Sequence, residues 1–458
     1  MPGTEAATGA TEPIDITFEN RGDRLIGLGF VNAFLKIITL GIYSFWGKTE
    51  VRRRLWSFTR LNGEPLEYTG TGKELFLGFL IIFFVVLLPV FLGGEAVKTY
   101  FGGQHPAVNI YKIILYFLFF LFIGNIMYRA QRYRLSRTRW RGIRGALIGD
   151  PQRYGWTYFW TLALPFLIVA LLAGTVARLT APSVGGLIVI LGLLAGLWVL
   201  PWRANKLQDM LTRDMRFGDG PLTYSGSSKP LYKRYLYAWG GSALLLLMAA
   251  TASILVLIQS GLAKSALDLG KFPDATKLSP GDPLIRTITL AMFAIFAIWI
   301  LTFVLAAIIT AWYRAYQMNH FARNTGFLGA HFRLSATGPS LVWLAISNWL
   351  LGILGLLVGV GLGYALAAYT GVLHHLPTDP SQPNIASTLS LLPSVAFALP
   401  IILVTGITAT FAQFRSTRYF MSRLKLDGPV NLQQVLQGQD LGLRRGEGLA
   451  QVFDLDAF

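Results

Sequence analysis

The sequence predicts an all-α membrane protein: about eight transmembrane helices arranged as four tandem hairpin repeats of parallel orientation, an N-terminal segment that is re-entrant or a ninth helix, and short cytoplasmic strands and turns. Three observations carry that prediction. Charged residues make up 14% of the 458 and lie between long uncharged stretches, which leaves too little polar surface for a water-soluble fold of this length. Eight stretches of the chain meet the roughly 20 apolar residues that a helix needs to cross a hydrocarbon core of ~30 Å. An arginine-rich junction of the kind at residues 128–144 follows an apolar run five times along the chain.

The first 24 residues are polar and mildly acidic, with neither the basic nor the short apolar region of a cleavable signal, so the helices themselves are expected to direct insertion. The next apolar segment, Leu25 to Trp46, carries Lys36 near its middle and Gly41 in a turn-like run, and either spans or dips in and returns. The eight firm spans follow: Leu75 to Leu92, Ile110 to Met127, Thr157 to Val176, Gly185 to Pro201, Ala238 to Ile258, Thr287 to Thr310, Leu341 to Tyr369 and Leu389 to Phe411.

Charge sets the expected orientation. Of the 40 Lys and Arg residues, 30 fall in the segments 47–74, 128–156, 203–237, 311–340 and 415–458, and the alternate loops hold only seven. By the positive-inside rule the five basic segments, the C-terminus among them, face the cytoplasm. The net charge of +17 then has a topological cause, and no nucleic-acid partner is expected. The absence of cysteine excludes disulfides, thiolate metal sites, iron–sulfur ligation and cysteine nucleophiles.

Each basic segment follows one plan: an aromatic-and-Arg helix, a glycine, and a short extended stretch ending in a second glycine before the next apolar run. Arg53 to Gly63 aligns without a gap on Arg132 to Gly142 and on Arg418 to Gly428, and looser copies lead to Gly218 and Gly329. The first glycine of each copy (Gly63, Gly142, Gly218, Gly329, Gly428) is expected to stop a helix in a positive-φ cap. The second (Gly70, Gly149, Gly226, Gly338) is expected to end an extended stretch of the type Tyr-Thr-Gly. Cutting at these glycines gives a polar N-terminal segment (1–24), an apolar segment with the first arginine cassette (25–63), four hairpin repeats (64–142, 143–218, 219–329 and 330–428) and a cytoplasmic tail (429–458). Two spans per unit give parallel repeats rather than inverted ones.

The residues Ile37 to Trp46, Arg52-Arg53-Arg54, Thr59 to Gly63 and Glu67 to Phe76 closely resemble the YjgN family of bacterial inner-membrane proteins, a family defined as a domain of unknown function. The match is specific over about residues 15–145 and extends through the repeats to about residue 430. The resemblance implies a multi-pass inner-membrane protein without an assigned activity.

Two readings compete for the arginine helices. Interleaved aromatics such as Trp56, Tyr133, Trp140, Trp312 and Tyr316 suit a topology anchor and an aromatic belt. The sharper reading is a ring binding the headgroups of anionic membrane lipids, each charge contributing about 1 kcal/mol. Its candidates are Arg53, Arg54, Arg132, Arg134, Arg137, Arg139, Arg141, Arg144 and Arg418. The run Gly70-Thr71-Gly72-Lys73 lacks phosphate-loop spacing and reads as a turn. None of the five histidines has metal-site spacing with a carboxylate, so neither a metal nor another cofactor is expected.

The firm spans hold no ionisable residue at their centres, whereas ion-coupled carriers keep such residues near the midplane. The function expected is therefore non-enzymatic: binding a lipid or another amphipathic molecule at the basic cytoplasmic face, with movement between leaflets as its extension. The alternatives are an uncoupled small-molecule channel or transporter, and a scaffold for an inner-membrane assembly.

Overall fold

The computed structural model describes residues 12–179, 182–262, 283–370, 391–430 and 435–436. The chain divides into two compact units, Met1–Gly226 with Phe321–Ser335 and Ile346–Phe458, and Ser227–His320 with Ala336–Ala345. In chain order the elements begin with β1 (Glu12–Pro13), β2 (Ile16–Phe18), α1 (Asp23–Ile38), α2 (Ser44–Phe58), β3 (Thr59–Leu61), β4 (Glu64–Pro65) and β5 (Glu67–Tyr68). Next come α3 (Gly72–Ile82), a π-helical turn, α4 (Leu88–Phe101), α5 (Pro106–Ser136), β6 (Thr138–Trp140), β7 (Ile143–Leu147), α6 (Pro151–Leu179) and α7 (Pro182–Asp214). The remainder are β8 (Met215–Phe217), β9 (Gly220–Tyr224), α8 (Lys229–Gln259), α9 (Pro283–Arg323), β10 (Thr325–Phe327), β11 (Ala330–Leu334), α10 (Gly338–Tyr369), α11 (Leu391–Met421), β12 (Leu424–Asp427) and β13 (Pro429–Val430).

Six stretches of helix among the described residues are long and apolar enough to cross a membrane: Gly72–Phe101, Pro106–Ser136, Lys229–Gln259, Ile285–Arg323, Gly338–Tyr369 and Phe397–Met421. Their surfaces carry exposed large apolar side chains, among them Phe84, Phe117, Leu247, Phe296 and Leu354, as lipid contact requires. Two further expected spans fall in α6 and α7, helices of 29 and 33 residues, where the side chains of residues 177–196 lie outside the described set. The start of the last expected span, Leu389, also lies outside it. Pro89 explains the π turn at Phe83–Leu87. Its ring crowds the carbonyl four residues back, and the helix widens over that turn to make room.

The segment Leu25 to Trp46 is not one helix. Leu40 and Gly41 take φ of 50° and 94°, which ends α1 after 16 residues and sends the chain back as α2. Phe18 in β2 pairs with Thr59 in β3, so the α1–α2 hairpin leaves and returns at one place. α1 packs on α11 through small residues: a Cβ on Gly29 would lie 3.2 Å from Ile407 Cα, and Gly406 faces Ala33.

The strands depart most from expectation. The protein is mostly helical, and the short strands expected beside the helices pair into three sheets of two, eight and three strands. Strands β5 to β12 pair in sequence order as one eight-stranded antiparallel sheet. β13 follows β12 and pairs with β1, β2 follows β1 and pairs with β3, and β3 pairs with β4, which β5 follows after one residue. The strands thus form a ring closed partly by pairing and partly by chain continuity.

Alternate connections of this ring differ in kind. Tight turns join β6 to β7, β8 to β9 and β10 to β11, while pairs of long helices join β5 to β6, β7 to β8, β9 to β10 and β11 to β12. In an antiparallel meander, alternate connections leave from opposite edges. Every long helical excursion therefore starts and ends at the same edge of the sheet.

The first glycine of each copy does not cap a helix, as expected from sequence, but sits in or beside a turn between strands. Asn62-Gly63, Arg141-Gly142 and Leu328-Gly329 have positive φ at both positions, the two-residue geometry that matches strand twist. Gly218 and Gly428 also have positive φ, at 59° and 115°. The helix ends several residues earlier because the backbone has switched to strand: α5 stops at Ser136, and β6 intervenes before Gly142.

Side chains on the ring alternate with period two. One face carries the pairs Trp140–Ile143, Leu222–Phe327 and Phe332–Leu426. The other carries Arg139 opposite Arg144, Arg216 opposite Ala146 and Arg333 opposite Lys425. The apolar faces converge on a core that includes Ile14, Phe327, Ala330, Leu426, Val430 and Val435.

Candidate functional site

At each junction between helix and ring, a side chain from the helix that enters the ring reaches the backbone of the crossover into the next helix. Arg53 donates to the Gly70 carbonyl at 3.3 Å. Arg132 donates through Nε to the Leu147 carbonyl at 2.8 Å and through its terminal nitrogen to the Gly149 carbonyl. Asn205 donates to the Gly226 carbonyl at 3.2 Å, and Asn319 both donates to and accepts from the backbone of Ala336, at 2.7 and 3.0 Å. These contacts satisfy carbonyls that neither helix nor sheet can reach.

Second-layer contacts lock the junctions. Tyr128, with 0% exposure, donates to Asp214 Oδ2 at 2.7 Å and lies beneath the Arg132 guanidinium. Glu74 accepts from the Tyr133 hydroxyl at 2.7 Å and from Arg137 at 2.9 Å. The Tyr224 hydroxyl donates to Asn205 at 2.7 Å. Burial pushes the Tyr224 phenol above its ordinary range, with the charge of Asp209 adding to it.

The second glycines are places of close approach. A Cβ on Gly149 would overlap the Asp214 carboxylate and the Tyr128 hydroxyl, and one on Gly226 would overlap the Tyr224 ring. Gly70 lies against Tyr68 and Gly338 against Trp312. Gly70-Thr71-Gly72-Lys73 is a helix start, with Thr71 as the N-cap accepting from Glu74 N at 3.3 Å.

The structure does not gather the nine candidate arginines into one headgroup ring. Arg53 pairs with Glu50, Arg137 with Glu74, and Arg141 with Glu64. Arg134 donates to Gln131, and Arg418 to Asn20. The bond from Arg141 holds the exposed Glu64 carboxyl below the usual carboxylate range, so this pair is ionised at neutral pH. Arg139 and Arg144 face each other across β6 and β7, and Arg54 is exposed on α2. Arg53 and Arg132 thus tie a helix to the crossover beside the ring, and Arg137 ties the end of α5 to α3.

A different place combines charge, aromatic rings and apolar surface. Between α8 and α9 lies a groove of about 810 Å³, within the range of small-molecule sites. Lys233, Arg234, Tyr237, Ile309, Trp312 and Tyr316 are among the residues that line it. The Arg234 guanidinium stacks 3.9 Å over the Tyr316 ring, and Tyr235 meets Tyr313 edge-on with centroids 5.3 Å apart. The sequence reading placed these aromatics in a belt but ranked the junction by charge density, which favours residues 128–144. The missed signal is spacing: Lys233, Arg234 and Tyr237 share a face of α8, as Trp312, Tyr313 and Tyr316 share one of α9.

Among the described residues no group of three His, Asp or Glu side chains could hold a metal, and His374-His375 lies outside them. The family described as a bacterial protein of unknown function (DUF898) matches residues 13–452. The chain belongs to that family. Relatives of this DUF898 chain include the inner membrane protein YjgN of Salmonella typhimurium, 26% identical over 185 residues covering 39% of this chain and 43% of the relative. The protein of the same name from Escherichia coli K12 is 26% identical over 162 residues, covering 35% of this chain and 36% of the relative. The matches thus span less than half the length of these curated relatives. No solved structure matches the chain.

Proposed function

We propose that this DUF898 protein is a non-enzymatic, polytopic inner-membrane protein that binds an anionic amphiphile, a membrane lipid, in the groove between α8 and α9. The observation that carries the reading is the groove itself: two exposed cations above an aromatic and aliphatic floor. Clustered cations beside a membrane helix attract anionic headgroups, and Trp and Tyr favour that depth. We further propose that the chain forms four tandem helical pairs with α1 and α2 as a re-entrant hairpin, and that the strand ring and C-terminus lie in the cytoplasm. The single-edge topology of the meander and the concentration of Lys and Arg beside it support this placement.

The test is lipid analysis of protein extracted from membranes. Wild type is expected to carry anionic lipid well above its share of the bulk membrane. Lys233→Gln with Arg234→Gln should reduce that enrichment by roughly 30-fold, the equivalent of two surface charges at about 1 kcal/mol each. Arg54→Gln, on α2, should leave it unchanged. Bulk lipid composition in wild type, or no loss in the double variant, contradicts the proposal.

A further inference from the structure

We propose that the strand ring holds a second binding site, for a small molecule that is mostly hydrocarbon and carries a hydrogen-bond-accepting oxygen. The apolar faces of the ring surround a cavity of about 220 Å³. Ile16, Leu61, Trp140, Phe217, Leu222 and Phe332 contribute to its lining from six different strands. An apolar cavity takes up a guest matched to its volume: one of about 150 Å³ accepts benzene, so by proportion this one suits roughly nine non-hydrogen atoms.

Trp140 supplies the specific feature. It is only 3% exposed, it lines the cavity, and its indole Nε1 is buried without an acceptor. A buried indole N–H ordinarily finds a partner, and a donor left unmatched in an apolar setting costs stability. A guest that brings an oxygen to Nε1 removes that deficit while its hydrocarbon body fills the space. Arg139 and Arg216 also border the cavity, so the guest is defined by its hydrocarbon body and its acceptor oxygen and not by its charge.

Val435 and Leu436 belong to the site's surroundings. Val435 is buried in the same core, and Leu436 exchanges hydrogen bonds with Asp219 in the β8–β9 turn: its carbonyl accepts from Asp219 N at 3.1 Å, and its N–H donates to Oδ1 at 3.0 Å. Residues 435–436 are thereby held against the β8–β9 turn.

The experiment uses the full-length protein with ¹⁵N-labelled tryptophan in lipid nanodiscs, the Trp140 indole resonance being assigned by its loss in Trp140→Phe. The probe is 2-octanone, which has nine non-hydrogen atoms and one carbonyl. Saturable binding is expected, with a downfield shift of the Trp140 indole proton. The ketone should bind about fivefold more tightly than nonane, the equivalent of one net hydrogen bond. Leu222→Trp, which fills the cavity, should abolish the shift, and Ile16→Phe serves if that variant fails to fold. Lys233→Gln with Arg234→Gln should retain the shift, so that failure at this site is distinguishable from failure at the groove. No saturable shift, equal affinity for nonane, or an unchanged shift in the cavity-filled variant would each overturn the proposal.

Discussion

Gly149→Val is expected to lower the stability of the protein by about 4 kcal/mol, combining overpacking with loss of a charged hydrogen bond. Gly149 ends the stretch between β7 and α6, where its carbonyl accepts from Arg132. It faces the Asp214 carboxylate and the Tyr128 hydroxyl so closely that no Cβ fits. Neither neighbour can move cheaply. Tyr128 is fully buried and bonded to Asp214 at 2.7 Å, at the end of α7 where the chain enters β8. A side chain here must separate α5 from α7 or expel Arg132 from the crossover, and either breaks the attachment of two helices to the ring. Tyr128→Phe is the milder companion and should cost about 2 kcal/mol by leaving the carboxylate without its donor. Thermal unfolding in detergent measures both, and the double variant should fall short of the sum because the two changes damage one network.

Phe327→Asp is expected to cost about 5 kcal/mol, since it removes an aromatic ring from the core and leaves an unpaired carboxylate there. Phe327 is buried, pairs with Leu222 on one side and Ala330 on the other, and meets the Phe217 ring edge-on at 6.2 Å. No basic side chain shares that face of β10. The folded, monodisperse protein should be lost in size-exclusion chromatography, while Phe327→Leu, which keeps the site apolar, should cost under about 1.5 kcal/mol. Equal tolerance of both changes would mean that the ring is not the base on which the helices stand.

The helices were legible because each announces itself locally, as an uncharged run of the right length ended by Arg and aromatic residues. The glycines were legible by their spacing, but their role was not. A glycine after Arg and Trp looks the same whether it caps a helix or turns a hairpin, and the choice depends on whether a strand partner is present. That partner is remote: Tyr68 pairs with Thr138, and Thr325 with Tyr224. Strands of two to five residues are too short to show a period, so a ring closed through such pairs leaves little trace in any one segment. The break in the segment Leu25 to Trp46 was half legible, through Gly41 and Lys36, while the pairing of Phe18 with Thr59, which brings the two ends of the α1–α2 hairpin together, was not.

The candidate arginines show a second limit. Charge density singles out residues 128–144, and density is what anchoring to carbonyls and carboxylates also requires. Arg132 and Arg137 look equally available in sequence, yet one holds the Leu147 and Gly149 carbonyls and the other holds Glu74. The groove between α8 and α9 needs only two cations. It is defined by helices whose facing surfaces sequence alone does not bring together.

The central claim is that every long helical excursion leaves the strand ring from one edge, so that all turns of the ring lie on the same side of the membrane. The chain contains no cysteine, and single substitutions therefore report without background. Asn62→Cys, Arg141→Cys, Asp219→Cys, Leu328→Cys and Asp427→Cys, each probed with a membrane-impermeant maleimide in intact cells, are expected to be unreactive until the inner membrane is permeabilised. Gln104→Cys, between α4 and α5, should react from outside. Labelling of any of the five turn positions from the outside would contradict the shared edge and, with it, the ring as the organising element of this protein.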